Sequence, residues 1–397
     1  MSEIKMSFWN YVPTGTIENR GAVNDWQELG MTHPMSFFYS EKRGHSKEVL
    51  LEMLDLCQEK GMKVIVDDER TDFRTLKKYG YDAYREGVKN AVNDFGKHPA
   101  VYGFHVGDEP DEASGTWDAA ILAYKTCNEL APDLKHHINL LPFWGEDDES
   151  FYKSLKVHTA DEYGAKVKDF ILQCGAKIIS YDYYGQCCYF DAEKYKDICF
   201  TNLRIFEKAV RGTGAELFNC PLCVGHWSLR VPNEDDIRWQ IYTSIASGVV
   251  GLSWFFVYER FLDGSFRNSP IDLFWHKTET YGRLARQCNI IKKYYSFLKD
   301  YEFMWAKHAN KAYGGYELFT EDEDLAAIET CVNECPLIVS KFKGNDGSIL
   351  IAVTNNSQTL PTSIKLHFRN RLGMYKDAPR IWIEPGRMRV FAEQFRI

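Results

Sequence analysis

The stretch Val101-Tyr-Gly-Phe-His-Val-Gly-Asp-Glu-Pro110 is the key to the fold of this chain. An apolar run rich in β-branched and aromatic residues ends abruptly in two carboxylates and a proline. The run predicts a buried strand with Asp108 and Glu109 at its C-terminal tip. Pro110 has no amide hydrogen, so it cannot extend a central ladder and the strand ends there. The alternative is an acidic helix cap, because Asp-Glu-Pro-Asp also suits a helix start.

Apolar strand-like runs alternate with amphipathic helical segments up to about residue 300. Strands buried on both faces have continuous apolar sequences, and a repeated β-then-α order predicts a parallel sheet. About eight repeats predict a closed (β/α)₈ barrel of the TIM type. The rival, an open doubly wound sheet, lacks the glycine-rich phosphate loop expected after its first strand. The predicted strands are 6–11, 32–39, 62–67, 101–106, 136–141, 177–183, 216–222 and 249–258.

The pattern changes after about residue 310. Short strand-like runs are separated by turn residues such as Gly344-Asn-Asp-Gly347, which predicts a small antiparallel β-sandwich. We expect a barrel domain over 1–308 and a sandwich domain over 309–397. The predicted strands of the sandwich are 312–319, 325–330, 337–342, 348–354, 362–368, 380–384 and 388–395.

Composition narrows the functional classes. The 397 residues are 45% hydrophobic and 15% aromatic, enough for a large core and a cleft lined with rings. A net charge of −8 argues against a nucleic-acid partner, because such proteins present a basic face. No apolar run approaches the roughly 20 residues of a membrane span, and no apolar signal segment opens the chain. We expect a cytoplasmic protein.

The eleven cysteines are scattered, as is typical of a reducing compartment. Cys220-Pro-Leu-Cys223 with His226 resembles half of a zinc site, but no second pair completes it. We therefore expect neither a metal nor another cofactor.

The chemistry of such a barrel lies at the C-terminal ends of its strands. Several carboxylates and aromatic rings follow the predicted strands. Glycines and basic residues, which would suit a phosphate ligand, are few at these positions. Sugars stack their apolar faces on rings and bond to carboxylates, and hydrolysis of a glycosidic bond needs two carboxyl groups. The candidate residues are Trp9, Asp68, His105, Asp108, Glu109, Asn139, Asp182, Tyr184, His226, Trp254 and Glu259.

Each candidate has a structural alternative. Trp9 and Trp254 would otherwise fill the barrel core, and His105 would be a core histidine in the opposite strand register. Asp68 would cap a helix or bind an arginine, and Glu259 would be a solvated acid paired with Arg260. For Asp182 the functional interpretation is favoured, because an unpaired buried carboxylate is costly.

The chain resembles (β/α)₈ glycoside hydrolases of clan A. The resemblance rests on Asp108-Glu-Pro110, Ile138-Asn-Leu-Leu-Pro142, Ser180-Tyr-Asp-Tyr-Tyr184 and Pro270-Ile-Asp272, and it covers nearly the whole chain. More specifically, it resembles a poorly characterised bacterial subgroup with a Gly-Asp-Glu-Pro strand four. The resemblance implies that Glu109, at the end of strand four, is the general acid/base.

One feature departs from the clan A pattern, which has a nucleophilic glutamate on strand seven. Segment 217–227 carries no carboxylate, so Asp182 or Glu259 is the expected partner of Glu109. The resemblance implies an O-glycosidase acting on oligosaccharides or glycosides. Two alternatives remain open: a non-catalytic carbohydrate-binding barrel, and a metal-dependent hydrolase or isomerase with Asp182, His226 and Glu259 as ligands. The remaining candidates would bind sugar: Trp9, Asp68, His105, Asp108, Asn139, Tyr184, His226 and Trp254.

Overall fold

A seven-stranded parallel sheet forms the centre of the computed structural model, which describes residues 4–146, 148–189, 192–261, 265–369 and 375–392. The order of its strands is β1-β7-β6-β5-β4-β3-β2. Every strand is followed by a helical segment, as the sequence predicts. The strands are β1 Lys5–Phe8, β2 Val64–Val66, β3 Val101–Asp108, β4 His137–Leu140, β5 Ile178–Asp182, β6 Glu216–Cys220 and β7 Gly251–Trp254.

An extended segment closes this sheet into a barrel by lying between β1 and β2. The amide of His33 donates to the carbonyl of Met6 at 2.8 Å, and the amide of Ile65 donates to the carbonyl of Pro34 at 3.0 Å. Pro34 cannot donate in return, which keeps the segment from being a regular strand. Residues 32–39 thus take the second strand position, and β3 is the fourth strand of the barrel. The predicted (β/α)₈ architecture is confirmed.

The helices surround the sheet and bury their apolar faces against it. Two of them, Phe73–Tyr79 and Glu149–Leu155, were not predicted, because a helix of seven residues carries too little periodicity. The helices are α1 Asn19–Glu28, α2 Lys47–Glu59, α3 Phe73–Tyr79, α4 Tyr81–Ala91, α5 Trp117–Leu130, α6 Glu149–Leu155, α7 Ala160–Cys174, α8 Ala192–Val210, α9 Glu234–Ala246 and α10 Glu279–Tyr294.

Two antiparallel sheets follow the barrel and form the predicted β-sandwich. One sheet has the order β15-β11-β10-β8; in the other, β12 pairs with β9, β13 and β14. The first strand of the sandwich starts at Tyr301, ahead of the boundary at 308/309 expected from the sequence. The strands are β8 Tyr301–Ala309, β9 Leu325–Thr330, β10 Leu337–Gly344, β11 Ile349–Asn355, β12 Thr362–Arg369, β13 Tyr375–Asp377, β14 Ile381–Ile383 and β15 Met388–Ala392.

The predicted strand 312–319 is wrong. Gly314 and Gly315 in its middle have φ values of 61° and 73°, outside the extended region. Gly314 also packs on the backbone of α8, where an added Cβ would lie 2.3 Å from the carbonyl carbon of Phe200. The chain turns here instead. Residues 393–395 of the last predicted strand lie outside the described part of the chain.

The sandwich packs directly on the barrel. Ile338, Phe342 and Leu350 belong to the same buried cluster as the barrel helices. All eleven cysteines have free thiols. Among the described residues, no helix combines the length and apolarity that crossing a bilayer requires.

Candidate active site

A cleft of about 550 Å³ opens at the C-terminal ends of the barrel strands. Its floor carries three carboxyl groups and its walls are mostly aromatic. Neither lysine nor arginine is among the described residues that line it. The lining residues are Trp9, Tyr11, Asp108, Glu109, Asn139, Pro142, Trp144, Asp182, Tyr183, Tyr184, Gly185, His226, Trp227, Leu229 and Phe255.

The tip of β3 holds Glu109 in an unusual backbone conformation. Glu109 has a φ of 51°, and Gly107 two residues earlier has a φ of 140°. A Cβ added to Gly107 would lie 2.3 Å from the ring of Phe73, so only glycine fits there. The amide of Glu109 donates to the carbonyl of Asn139 at 2.9 Å. Strained positions of this kind cluster at functional sites, where the surrounding structure holds them.

Asn139 joins two of the three carboxylates. Its Nδ2 donates to Asp108 Oδ1 at 3.1 Å and to Asp182 Oδ1 at 2.7 Å. The register explains the arrangement, since Asp108 lies beside Asn139, and Asn139 lies beside Ser180. Parallel strands therefore bring together three polar groups that are far apart in the sequence.

Burial controls the protonation of this carboxylate cluster. Desolvation, with the charges of Asp182 and Asp108, raises the pKa of Glu109 far above its ordinary value. Desolvation and the charge of Asp182 also raise the pKa of Asp108. The pKa of Asp182 is raised by desolvation too, although hydrogen bonds from Asn139 and Tyr184 favour its ionised form. Glu109 is thus the carboxyl that keeps its proton, and Asp182 is the one with neutral donors to hold a negative charge.

Stacked rings form the walls of the cleft. On one side Trp9 stacks on Tyr11, with ring centroids 6.0 Å apart. Tyr184 stacks on Phe255 at 5.1 Å. Trp227 is 73% exposed, and its ring stacks on His226 at 4.2 Å. An apolar sugar face can lie against rings of this kind.

Most of the predicted site residues line this cleft. Seven of the eleven do so: Trp9, Asp108, Glu109, Asn139, Asp182, Tyr184 and His226. The parallel sheet brings them together because each follows, or ends, a barrel strand.

Asp68 and His105 lie elsewhere, which corrects the expectation that they touch substrate. Asp68 accepts hydrogen bonds from the backbone and the guanidinium of Arg70, so the capping alternative describes it. His105 points into the barrel, where its Nδ1 contacts Nδ1 of His137 at 3.0 Å beneath the ring of Trp9. The strand register determines which way His105 points, and the sequence alone does not predict that register.

Trp254 and Glu259 are also outside the lining. Trp254 is fully buried in the barrel core. The carboxylate of Glu259 accepts a hydrogen bond from the backbone amide of Ser269 at 3.2 Å. Trp254 is the last residue of β7 and Glu259 follows this strand, but neither side chain lines the cleft.

Eight lining residues were not among the eleven candidates, namely Tyr11, Pro142, Trp144, Tyr183, Gly185, Trp227, Leu229 and Phe255. Tyr11 and Phe255 come shortly after β1 and β7, so strand-end position was the signal that could have identified them. Leu229 lies in a long loop after β6 and carries no such signal. In the described part of the chain, no group of three or more His, Cys, Asp or Glu side chains is arranged to hold a metal ion.

No protein-family model matches this sequence, and no curated protein sequence matches it either. Solved structures of glycoside hydrolases share its fold. A catalytic mutant of a GH42 β-galactosidase from G. stearothermophilus superposes with a TM-score of 0.64 at 9% identity, over 98% of each chain. A β-galactosidase from Rahnella sp. R3 superposes with a TM-score of 0.57 at 12% identity, over 77% of this chain and 58% of that one.

A β-galactosidase from Marinomonas ef1 gives a TM-score of 0.52 at 13% identity, over 72% of this chain. The chain spans 59% of that enzyme's length. At these identities the likeness concerns the fold. The molecule is a TIM-type barrel with a C-terminal β-sandwich, an architecture that it shares with glycoside hydrolases of several families.

Proposed function

We propose that this protein is a glycoside hydrolase that cleaves O-glycosidic bonds, with Glu109 as the general acid/base and Asp182 as the second carboxylate. The observation that carries the proposal is the convergence of Glu109, Asp108 and Asp182 in one aromatic cleft at the C-terminal ends of the barrel strands. Hydrolysis of a glycoside requires one protonated and one ionised carboxyl beside the bond. The environments of Glu109 and Asp182 favour this division.

The roles follow from the local chemistry. Desolvation raises the pKa of Glu109, so this side chain holds a proton near neutral pH and can give it to the leaving-group oxygen. Asp182 receives hydrogen bonds from Asn139 and Tyr184, which stabilise a carboxylate. As an anion it would act as the nucleophile or activate a water, and Asp108 would hold a sugar hydroxyl. Trp9, Tyr184 and His226 would pack on or bond to the sugar.

The fold neighbours support this class of reaction. The similar structures are named as β-galactosidases, although fold alone does not transfer an activity. The raised pKa of Glu109 disfavours the non-catalytic alternative, since a site that only binds sugar has no need of a proton donor. The metal-dependent alternative required Asp182, His226 and Glu259 together, and Glu259 does not line the cleft.

Turnover of activated aryl glycosides by matched variants tests the proposal. A panel of p-nitrophenyl glycosides identifies the sugar, and Glu109→Gln and Asp182→Asn should each lower kcat/KM by about 10²-fold or more. Glu259→Gln is the control and should stay within about threefold of the wild type, because this carboxylate lies outside the cleft. Unchanged turnover in Glu109→Gln, or a loss confined to Glu259→Gln, would contradict the assignment.

A further inference from the structure

A second hollow lies beside the cleft, and the ring of Trp144 belongs to both. The hollow has a volume of about 450 Å³, similar to that of the cleft itself. Trp144 follows β4, whereas Lys194 and Asp197 belong to the first turns of α8, which follows β5. Both segments are at the C-terminal end of the barrel strands, so the hollow extends the site and is not a separate feature of the far face.

Two of the acidic residues around the hollow already have structural roles. Asp148 accepts hydrogen bonds from the amides of Ser150 and Phe151 and so caps α6. Asp197 Oδ1 accepts a hydrogen bond from the backbone amide of Gly314 at 2.8 Å. Their oxygens are held by the protein itself, which leaves the other polar side chains of the hollow for a ligand.

Glu146 and Lys194 are those side chains. Both are exposed, and neither makes a hydrogen bond or ion pair with any other residue that the structure describes. They carry opposite charges and line the same hollow without pairing with each other. A carboxylate and an ammonium group together can accept from and donate to the hydroxyls of a neutral ligand.

Trp144 supplies the apolar part of this second hollow. It is half-buried and packs edge-on against Phe151, with ring centroids 5.8 Å apart. A half-buried ring that lines the same hollow as free polar groups suits a sugar, which has an apolar face and a rim of hydroxyls.

We infer that the second hollow is a further sugar-binding subsite, so that the substrate is a neutral oligosaccharide of more than one unit that passes Trp144. This inference rests on the proposed function, because the reacting bond lies at Glu109. The residues that set the preference for chain length are Trp144, Glu146 and Lys194.

The test compares chain lengths after the panel of aryl glycosides has identified the sugar. We would measure kcat/KM for oligosaccharides of two, three and four units of that sugar. The chain-length ratio is the highest of these kcat/KM values divided by the value for the two-unit sugar. In the wild type this ratio should be about tenfold or more. The double variant Glu146→Ala/Lys194→Ala should lose most of the ratio. Lys60→Ala, an exposed lysine at the end of α2 on the opposite face of the barrel, should keep it.

Trp144→Ala should also lack the preference for longer chains, and Trp144→Phe should retain part of that preference. A wild type without any preference for longer chains, or a preference that the double variant keeps, would overturn the inference while leaving the hydrolase proposal intact. Failure of every monosaccharide glycoside to react would instead overturn the proposed function, and this inference with it.

Discussion

Three carboxyl groups share one cleft in this protein, and the described residues that line it include neither lysine nor arginine to offset their charge. The charge of Arg74 lowers the pKa of Asp108 and Glu109 only in part, and its Nη2 donates to the backbone carbonyl of Asp108 at 2.6 Å. Three negative charges in this cluster would therefore be costly in free energy, and protonation of a carboxyl group removes part of the repulsion.

The pH dependence of the reaction should show this protonation. The general acid must carry its proton, so activity falls as the pH rises through the pKa of Glu109. Because that pKa is raised, the alkaline limb of kcat/KM should lie well above about 4.3, the ordinary value of a glutamic acid. The acidic limb reports the ionisation of Asp182, whose pKa is also raised. The measurement is kcat/KM for the reactive aryl glycoside between about pH 4 and pH 10.

In Glu109→Gln the alkaline limb should disappear from the residual activity. An alkaline limb that persists unchanged in this variant would assign the proton to another group.

Glu109→Gln should stabilise the protein although it lowers the activity. A carboxyl whose pKa is raised by folding holds more protons in the folded state, so it lowers the free energy of unfolding as the pH rises above its ordinary pKa. Glu109→Gln abolishes this excess protonation of the folded state and should raise Tm by a few degrees at about pH 8. At about pH 4 both proteins are uncharged at this position, so the difference should vanish.

Thermal unfolding followed by circular dichroism at the two pH values is the measurement. Glu149→Gln is a matched control, since Glu149 is solvent-exposed in α6. A Tm of Glu109→Gln below that of the wild type at about pH 8 would contradict the burial argument.

Among the elements, β3 positions Asp108 and Glu109 through its glycines. Gly103 lies so close to the neighbouring chain that an added Cβ would be 1.8 Å from the carbonyl oxygen of Lys135. Gly107 combines a φ of 140° with close contact to Phe73. The two glycines let the chain approach its neighbours tightly and then turn sharply, which places Glu109 in the cleft.

Gly107→Ala should therefore cost both stability and activity. The backbone strain and the contact with Phe73 together should destabilise the protein by about 2–4 kcal/mol. Residual folded protein should have a lower kcat, because the tip of β3 must shift. Urea unfolding and kcat on the aryl glycoside measure the two effects.

Gly61→Ala is the control for the backbone conformation alone. Its φ is 71° and no atom lies within 4 Å of an added Cβ, so its cost should be about 1 kcal/mol, without any effect on kcat. Equal effects of the two variants would show that contact with Phe73 is unimportant.

The sequence predicted the strands of the barrel well, because a strand buried on both faces leaves a continuous apolar run, as in 249–258. It predicted seven lining residues from strand-end position alone. It could not predict that His105 points inward or that Trp254 is buried, since a shift of one residue reverses the face of a strand. Nor could it predict the strand Tyr301–Ala309, whose half-buried residues lack a clear alternation.

At the scale of the whole molecule, the sandwich is bound to the barrel through α9 and its flanks. Trp239 donates from Nε1 to Asn356 Oδ1 at 2.9 Å, and Arg238 donates to the carbonyl of Pro385 at 2.7 Å. Ser340 Oγ donates to the carbonyl of Ala246 at 2.6 Å in a fully buried position. Residues of β10, β11 and β15 also complete the barrel's apolar core, so the two parts share one hydrophobic cluster.

A shared core predicts that the barrel and the sandwich unfold together. Within the described part of the chain every helix precedes residue 301, so far-UV circular dichroism at the helical minimum follows the barrel. Hydrogen exchange of peptides from β11 follows the sandwich. The two probes should give one coincident urea transition. Ser340→Ala leaves the buried carbonyl of Ala246 without its hydroxyl donor and should move both transitions together by about 1–2 kcal/mol. Separate midpoints, or a shift of the sandwich transition alone, would mean that the shared core does not couple the two parts.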